Sequence, residues 1–264
     1  MSSTVEDNHE VDDVARPALR VPWADGATQR LFASVTGPSD YFALIEQQVQ
    51  ALRDQTKMVG DIMNGRQSAH AFAVLEIEFR WGELGWQRDA VVSHRRRSGS
   101  DFREICQLIV SLERAAEALG RIIVCFKGTR QLADQGSRRM LMHVEQAIQS
   151  LSRGNRRLAK GCSAANLDLA ATISIAEQLL SQCAVGQRST PAEETGKALE
   201  PCASGGITLG HECAAQDALV RTLHENLFQI GSELMLAATF LRDWLLRMTA
   251  IIQQPYVASV GQAN

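Results

Sequence analysis

Residues 219–248, LVRTLHENLFQIGSELMLAATFLRDWLLRM, contain the clearest periodic pattern in the chain. Apolar side chains recur there every three or four residues, at Leu219, Leu223, Leu227, Ile230, Leu234, Ala238, Leu241, Leu245 and Met248. This is the period of an α-helix with one buried face. We therefore predict a long amphipathic helix over residues 211–253 that packs on the rest of the chain. Leu227, Leu234 and Leu241 should lie in the core, and Gly231 is a point at which the helix can kink or break.

The preceding part of the chain shows the same period in shorter segments. Apolar stripes recur at three or four residues over roughly 39–64, 101–127, 129–160 and 163–184. Ser39 or Asp40 can cap the first of these segments. We predict that residues 39–184 form one helical domain.

The segment after Ser68 is ambiguous. Its apolar residues are dense and partly alternating, namely Phe72, Val74, Leu75, Ile77, Phe79 and Trp81. Alternation over Ala73–Trp81 is compatible with a strand, whereas Glu76, Glu78 and the neighbouring helices favour a helix.

Three regions lack apolar periodicity. Residues 1–38 are acidic at first and then rich in Pro and Gly, and we predict a disordered tail there. Residues 185–210 are rich in Gly, Pro, Ser, Thr and Glu, which indicates a flexible linker or a long loop. Residues 254–264 form a second tail. The predicted fold is all-α, a bundle of about six helices with a disordered N-terminal tail and a long internal loop.

The composition excludes several classes of protein. The chain has 264 residues, of which 45% are hydrophobic and 22% charged, enough for a sizeable core. Aromatic residues make up only 5%, which disfavours an aromatic-rich β-sandwich or barrel. A net charge of −3 provides no global field for nucleic acid. No apolar stretch reaches the roughly 20 residues of a membrane span, and the acidic N-terminus does not resemble a secretory signal. We expect a nuclear or cytoplasmic protein that is not secreted.

No catalytic or metal-binding motif is present in the sequence. The six cysteines include no Cys-x-x-Cys pair, and Cys202, His211 and Cys213 offer three ligands at a spacing typical of no zinc finger. The Gly-x-Ser-x-Gly motif of hydrolases and glycine-rich phosphate loops are absent as well. We predict a protein with no metal, no cofactor and no enzymatic activity, with an α-helical enzyme as the distant alternative.

A compact cationic run lies between two predicted helices. Arg95, Arg96 and Arg97 could serve as a nuclear import signal or bind phosphate, and they place Ser98 in the context of a basophilic kinase site. The alternative is a solvated loop.

A second basic region lies on the helix predicted for residues 129–160. Nine cations stand against two acids between residues 121 and 160, and Arg153, Arg156, Arg157 and Lys160 share one face of the helix. Such a face can bind an acidic partner or nucleic acid, or it can attract the acidic residues of the same bundle, which we favour. Only Phe126 could stack on a base there, so nucleic-acid binding by the chain alone is not expected.

The order of the helical segments resembles a known family. Asp101–Ala118, Met140–Cys162, Leu167–Cys183 and Gly206–Leu246 are similar, in that order, to the helices of the C-terminal regulatory domain in aflatoxin-regulator-type fungal transcription factors. The first segment carries a cysteine, and the last begins with an Ile-x-Leu-Gly motif that a long leucine-rich helix follows. The resemblance covers about residues 101–250.

The resemblance implies a nuclear protein that regulates transcription of a fungal secondary-metabolite cluster. The sequence departs from the family in two ways: only Cys162 stands at a turn that usually carries paired cysteines, and no cysteine precedes Cys106. The zinc-cluster DNA-binding part is therefore missing, and regulation would act through protein partners. The alternative is a cytoplasmic helical adaptor or oligomerising protein, and the oligomeric state stays open.

Overall fold

The computed structural model describes residues 38–95, 101–127, 129, 132–188 and 207–253, and within these ranges it contains six α-helices and no strand. The helices are α1 Pro38–Met63, α2 Phe72–Arg95, α3 Asp101–Lys127, α4 Gln135–Ala159, α5 Ala165–Arg188 and α6 Ile207–Gln253. The all-α prediction is confirmed. The predicted N-terminal tail, apart from Pro38 in the first turn of α1, and the tail 254–264 lie outside the described residues.

The long C-terminal helix α6 packs along α3, α4 and α5. Its 47 residues correspond to about 70 Å of helix. Leu227, Leu234 and Leu241 are buried in the core, as predicted. The helix runs unbroken through Gly231, where a Cβ atom would lie 3.0 Å from Cδ2 of Leu179 on α5. The glycine therefore permits a close approach of α5 and does not break the helix.

Helix α1 packs against α2, α3 and α4. Asn155 of α4, which interrupts the apolar stripe of that helix, is buried against α1. Its Nδ2 donates hydrogen bonds to the carbonyl oxygen of Phe42 at 3.2 Å and to Oε2 of Glu46 at 3.1 Å. This polar residue therefore helps to set the register between α1 and α4.

Helix α4 begins later than the predicted Thr129. Asp134 is its N-cap, and its Oδ1 accepts a 2.9 Å hydrogen bond from the backbone N–H of Ser137. At the other end, Gly161 has φ of 67°, and Cys162 N–H bonds the carbonyl of Arg157 at 2.9 Å. This is a Schellman motif, which favours glycine at the left-handed position. The predicted start was wrong because the Asp cap after residue 133 determines the first turn.

The segment that sequence left between helix and strand is helical. Helix α2 packs mainly on α1, through the buried side chains of Val74, Ile77 and Leu84.

The helices flanking the predicted linker are longer than expected. α5 continues to Arg188 and α6 begins at Ile207, so helical backbone extends four residues into each end of the range 185–210. Residues 189–206 lie outside the described residues. None of the helices, over the residues described, is long and apolar enough to cross a membrane.

Candidate functional site

The basic face predicted on α4 contacts acidic residues of the same chain. Asp168 on α5 accepts from Arg153 Nε at 3.3 Å and from Arg157 Nη1 at 2.7 Å. Arg156 forms an ion pair with Glu46 of α1 at 2.7 Å. Lys160 is the C-cap of α4, and its side chain is exposed. Three of the four predicted residues thus join helices within the bundle.

The other predicted site residues are placed only in part. Arg95 is the last residue of α2, with no side-chain position described, and Arg96, Arg97 and Ser98 lie outside the described residues. Cys202, one of the three metal-ligand candidates in the sequence, also lies outside the described residues. His211 and Cys213 belong to α6, again without described side chains.

Titratable groups with altered proton affinity are used in packing. Burial tends to raise the pKa of Asp134, but hydrogen bonds from Ser137 and the nearby His224 outweigh it and lower the value. Burial lowers the pKa of His224, against the attraction of Asp134. Burial also raises the pKa of the Cys183 thiol to about 11. Over the ranges with described side chains, no group of three or more His, Cys, Asp or Glu residues could hold a metal ion.

The most unusual surface of the described structure is the outer face of α2. Phe72, Leu75, Phe79 and Trp86 have relative exposures of 72%, 57%, 70% and 81%. Their spacing of three, four and seven residues places them in one row along the helix, which we call the α2 stripe. In the described parts of the other five helices, at most one large apolar side chain per helix is more than half exposed. Contiguous exposed apolar patches of this kind mark binding sites.

The opposite face of α2 anchors the helix so that the stripe points outward. Val74, Ile77 and Leu84 are buried in the bundle. Nε1 of Trp81 donates a 2.9 Å hydrogen bond to Oε1 of Gln55 on α1. The stripe is therefore presented by a helix whose other side is already committed to the core.

Two glycines leave open space beside the stripe. A Cβ atom built at Gly82 or Gly85 would meet no other atom within 4 Å. Gly82 falls in the row of the stripe, between Phe79 and Trp86, so the apolar surface has a gap there that a side chain of a partner could enter.

Acidic side chains border the stripe on both sides. Glu76 and Glu83 lie about two helical turns apart along one edge, and Glu78 lies on the other edge, which faces α3. Together with Glu117 of α3, these exposed carboxylates have no ion-pair partner among the described side chains.

The two arginines in the middle of α2 are already paired. Arg80 Nη1 lies 2.5 Å from Oδ2 of Asp54 on α1. Arg88 lies 2.5 Å from Glu113 of α3 and 2.8 Å from Asp89. The face that α2 offers to solvent is therefore apolar with an acidic border.

A groove of about 410 Å³ separates α2 from α3, beside the stripe. Ile77 and Trp81 contribute its apolar surface, and Glu78, Glu113 and Glu117 contribute its carboxylates. Arg88 lines the groove as well and is already paired with Glu113, which leaves Glu78 and Glu117 without a cation in the described part of the chain. Burial raises the pKa of Glu113, while Arg88 acts in the opposite direction. This α2–α3 groove has the chemistry of a site for a cation carried on an apolar stem.

The α2 stripe was not recognised in the sequence, although a signal for it is present. On a helical wheel the apolar residues of 72–86 form two rows, one through Phe72, Leu75, Phe79 and Trp86 and one through Val74, Ile77, Trp81 and Leu84. A helix on the surface of a bundle needs only one such row.

The chain matches no protein-family model, no curated protein and no solved structure.

Proposed function

We propose that the protein is a non-enzymatic helical interaction module that binds a protein partner through the α2 stripe. The observation that carries this proposal is the row of four large apolar side chains on α2, which lies outward on a helix whose other face is buried. Exposing three aromatic rings to water has a cost that a partner would remove, at about 25 cal/mol per Å² of apolar surface covered. Aromatic side chains are also the residues that most often dominate the energy of interfaces.

The absence of an enzymatic role is part of the proposal. The residues with the clearest pKa changes support packing, because Asp134 caps α4 and His224 lies against it from α6. The Cys183 thiol is fully buried and protonated at neutral pH, so it is a poor nucleophile.

The biological setting comes from the resemblance to aflatoxin-regulator-type factors. On that basis the protein is a nuclear regulator of transcription in a fungal secondary-metabolite cluster. It would act by contacting another protein through the α2 stripe. A cytoplasmic adaptor or oligomerising protein is the alternative, and the α2 stripe would serve either role.

The binding role is tested by photo-crosslinking in cells that express the full chain. Trp86 is replaced by the photo-reactive residue benzoylphenylalanine, and the control places the same residue at Leu167 of α5, which is 70% exposed. We expect position 86, and not position 167, to yield one adduct of defined mass, and Phe79→Glu to reduce its yield at least tenfold. Equal adducts at both positions, or none at position 86, would contradict the proposal.

The nuclear role is tested separately with a fluorescent fusion of the full chain. Nuclear accumulation that is lost when Arg95, Arg96 and Arg97 are changed to Ala supports the regulator. Retention in the cytoplasm that is unchanged by these substitutions supports the adaptor.

A further inference from the structure

The charges around the α2 stripe identify the chemistry of its partner. We propose that the partner is a cationic amphipathic helix, whose apolar side chains cover the stripe and whose Lys or Arg side chains meet the acidic border. This inference rests on the proposed function, because it names the occupant of the same surface.

The dimensions of the stripe suit one helix. Phe72 and Trp86 are 14 residues apart, which is about 21 Å along α2, or four turns. A helix docked in this way uses anchors at i, i+3 or i+4, and i+7, the same spacing that the stripe presents. The open space above Gly82 accepts one large side chain of the partner between Phe79 and Trp86.

The border of the stripe determines the sign of the partner's charge. Glu76, Glu78 and Glu83 of α2 and Glu117 of α3 are exposed and unpaired within the described residues, whereas Arg80 and Arg88 already have carboxylate partners. Complementary charge speeds association and excludes wrong partners. An anionic partner would face four carboxylates with no available cation among them.

A second copy of the chain fits this border poorly. A two-fold pairing of α2 with itself brings the same surface of both copies together, so Glu76 and Glu83 of one copy would meet acidic residues of the other. An anionic membrane surface is disfavoured for the same reason, because helices that lie on such membranes carry Lys and Arg along their borders.

The α2–α3 groove provides a specific contact for one cation of the partner. The stem of a Lys or Arg side chain can lie on Ile77 and the ring of Trp81, with its charge between Glu78 and Glu117. Gly85 lines the groove without a side chain, and a Cβ atom there would meet no neighbouring helix or side chain within 4 Å, which allows the partner backbone to approach.

Two synthetic peptides test the inference with the full-length protein. Both are 18-residue helices with Leu and Phe at the anchor positions; one carries Lys at the border positions and the other Glu. Fluorescence anisotropy should show at least tenfold tighter binding of the Lys peptide, weakening as salt is added. Phe79→Glu should abolish this binding.

A charge reversal on α2 provides the decisive comparison. The variant Glu76→Lys/Glu83→Lys should lose the preference for the Lys peptide and bind the Glu peptide more tightly. The matched control Glu145→Lys/Glu177→Lys changes two exposed acids on α4 and α5 by the same charge, and it should keep the wild-type preference. Circular dichroism checks that both variants are folded.

Several outcomes would overturn the inference. Equal affinity for the two peptides, or an unchanged preference in Glu76→Lys/Glu83→Lys, excludes a cationic helix. A photo-crosslinked adduct between position 86 and residues 1–37 of the same chain, or between position 86 and a second copy, also excludes a cationic helix as the partner. If the two peptides bind with equal affinity but position 86 still forms a Phe79-dependent adduct with another protein, the cationic helix is excluded and the proposed function stands. When no such adduct forms, both proposals fail.

Discussion

The indole Nε1 of Trp81 donates a 2.9 Å hydrogen bond to Oε1 of Gln55, which joins α2 to α1 in the interior of the bundle. Nε2 of the same glutamine donates to the carbonyl oxygen of Ala116 on α3 at 3.0 Å. A single buried amide therefore connects three helices. Because α2 has few other contacts with α3, this amide supports the orientation in which the α2 stripe faces solvent.

We expect Gln55→Ala to destabilise the protein by about 1–3 kcal/mol, because Trp81 N–H and the Ala116 carbonyl both lose a buried partner. Urea unfolding measures the loss. The control is Gln47→Ala, at an exposed glutamine of the same helix, which should change stability little. Hydrogen exchange should also become faster in α2 than in α5, and a uniform change across the bundle would contradict the bracing role.

The two faces of α2 should respond in opposite ways to substitution. We expect Ile77→Ala to cost about 2–5 kcal/mol, since this side chain is buried in the core. Phe79→Glu, two residues away on the exposed stripe, should change stability by less than about 0.5 kcal/mol. Thermal unfolding of both variants measures the two changes in stability. A large loss in Phe79→Glu would mean that another part of the chain covers the stripe.

The core position of α6 can be tested at Leu234, which is fully buried. We expect Leu234→Ala to cost about 2–5 kcal/mol through lost packing and a cavity. Glu225→Ala, on the exposed face of the same helix, should have little effect. If Leu234→Ala instead kept the wild-type melting temperature and lost a partner interaction, the apolar row of α6 that contains Leu234 would be a binding face.

His224 should make stability depend on pH. Burial lowers its pKa in the folded protein, against the attraction of Asp134, whereas in the unfolded chain a histidine titrates near 6.5. The unfolded state therefore binds a proton first as the pH falls. Stability contributed by the neutral imidazole should be complete above about pH 6.5 and decrease below it, down to the lowered pKa of the folded state.

Urea midpoints at pH 7.5, 6.0 and 5.0 measure this effect, above the range in which Asp134 titrates. We expect His224→Gln to reduce the slope between pH 7.5 and 5.0 relative to the wild type. An identical slope in the variant would assign the pH dependence to other groups.

Local periodicity was sufficient to predict the fold class and the buried face of α6. Helical spacing is a property of neighbouring residues, so the row through Leu227, Leu234 and Leu241 identifies its own buried side. The same reasoning predicted an all-α chain and failed at the start of α4, because periodicity does not specify the first turn and the cap at Asp134 does.

The sequence could not decide which row of α2 faces solvent, because both rows are strongly apolar. Only the packing of α2 on α1 selects Val74, Ile77 and Leu84 for the core and leaves the other row outside. The partners of the α4 arginines were open for a related reason. Arg157 meets Asp168 eleven residues away, but Arg156 meets Glu46 across 110 residues of chain. Contacts between distant segments depend on how the helices are arranged in space, and the period of a single helix contains no information about that arrangement.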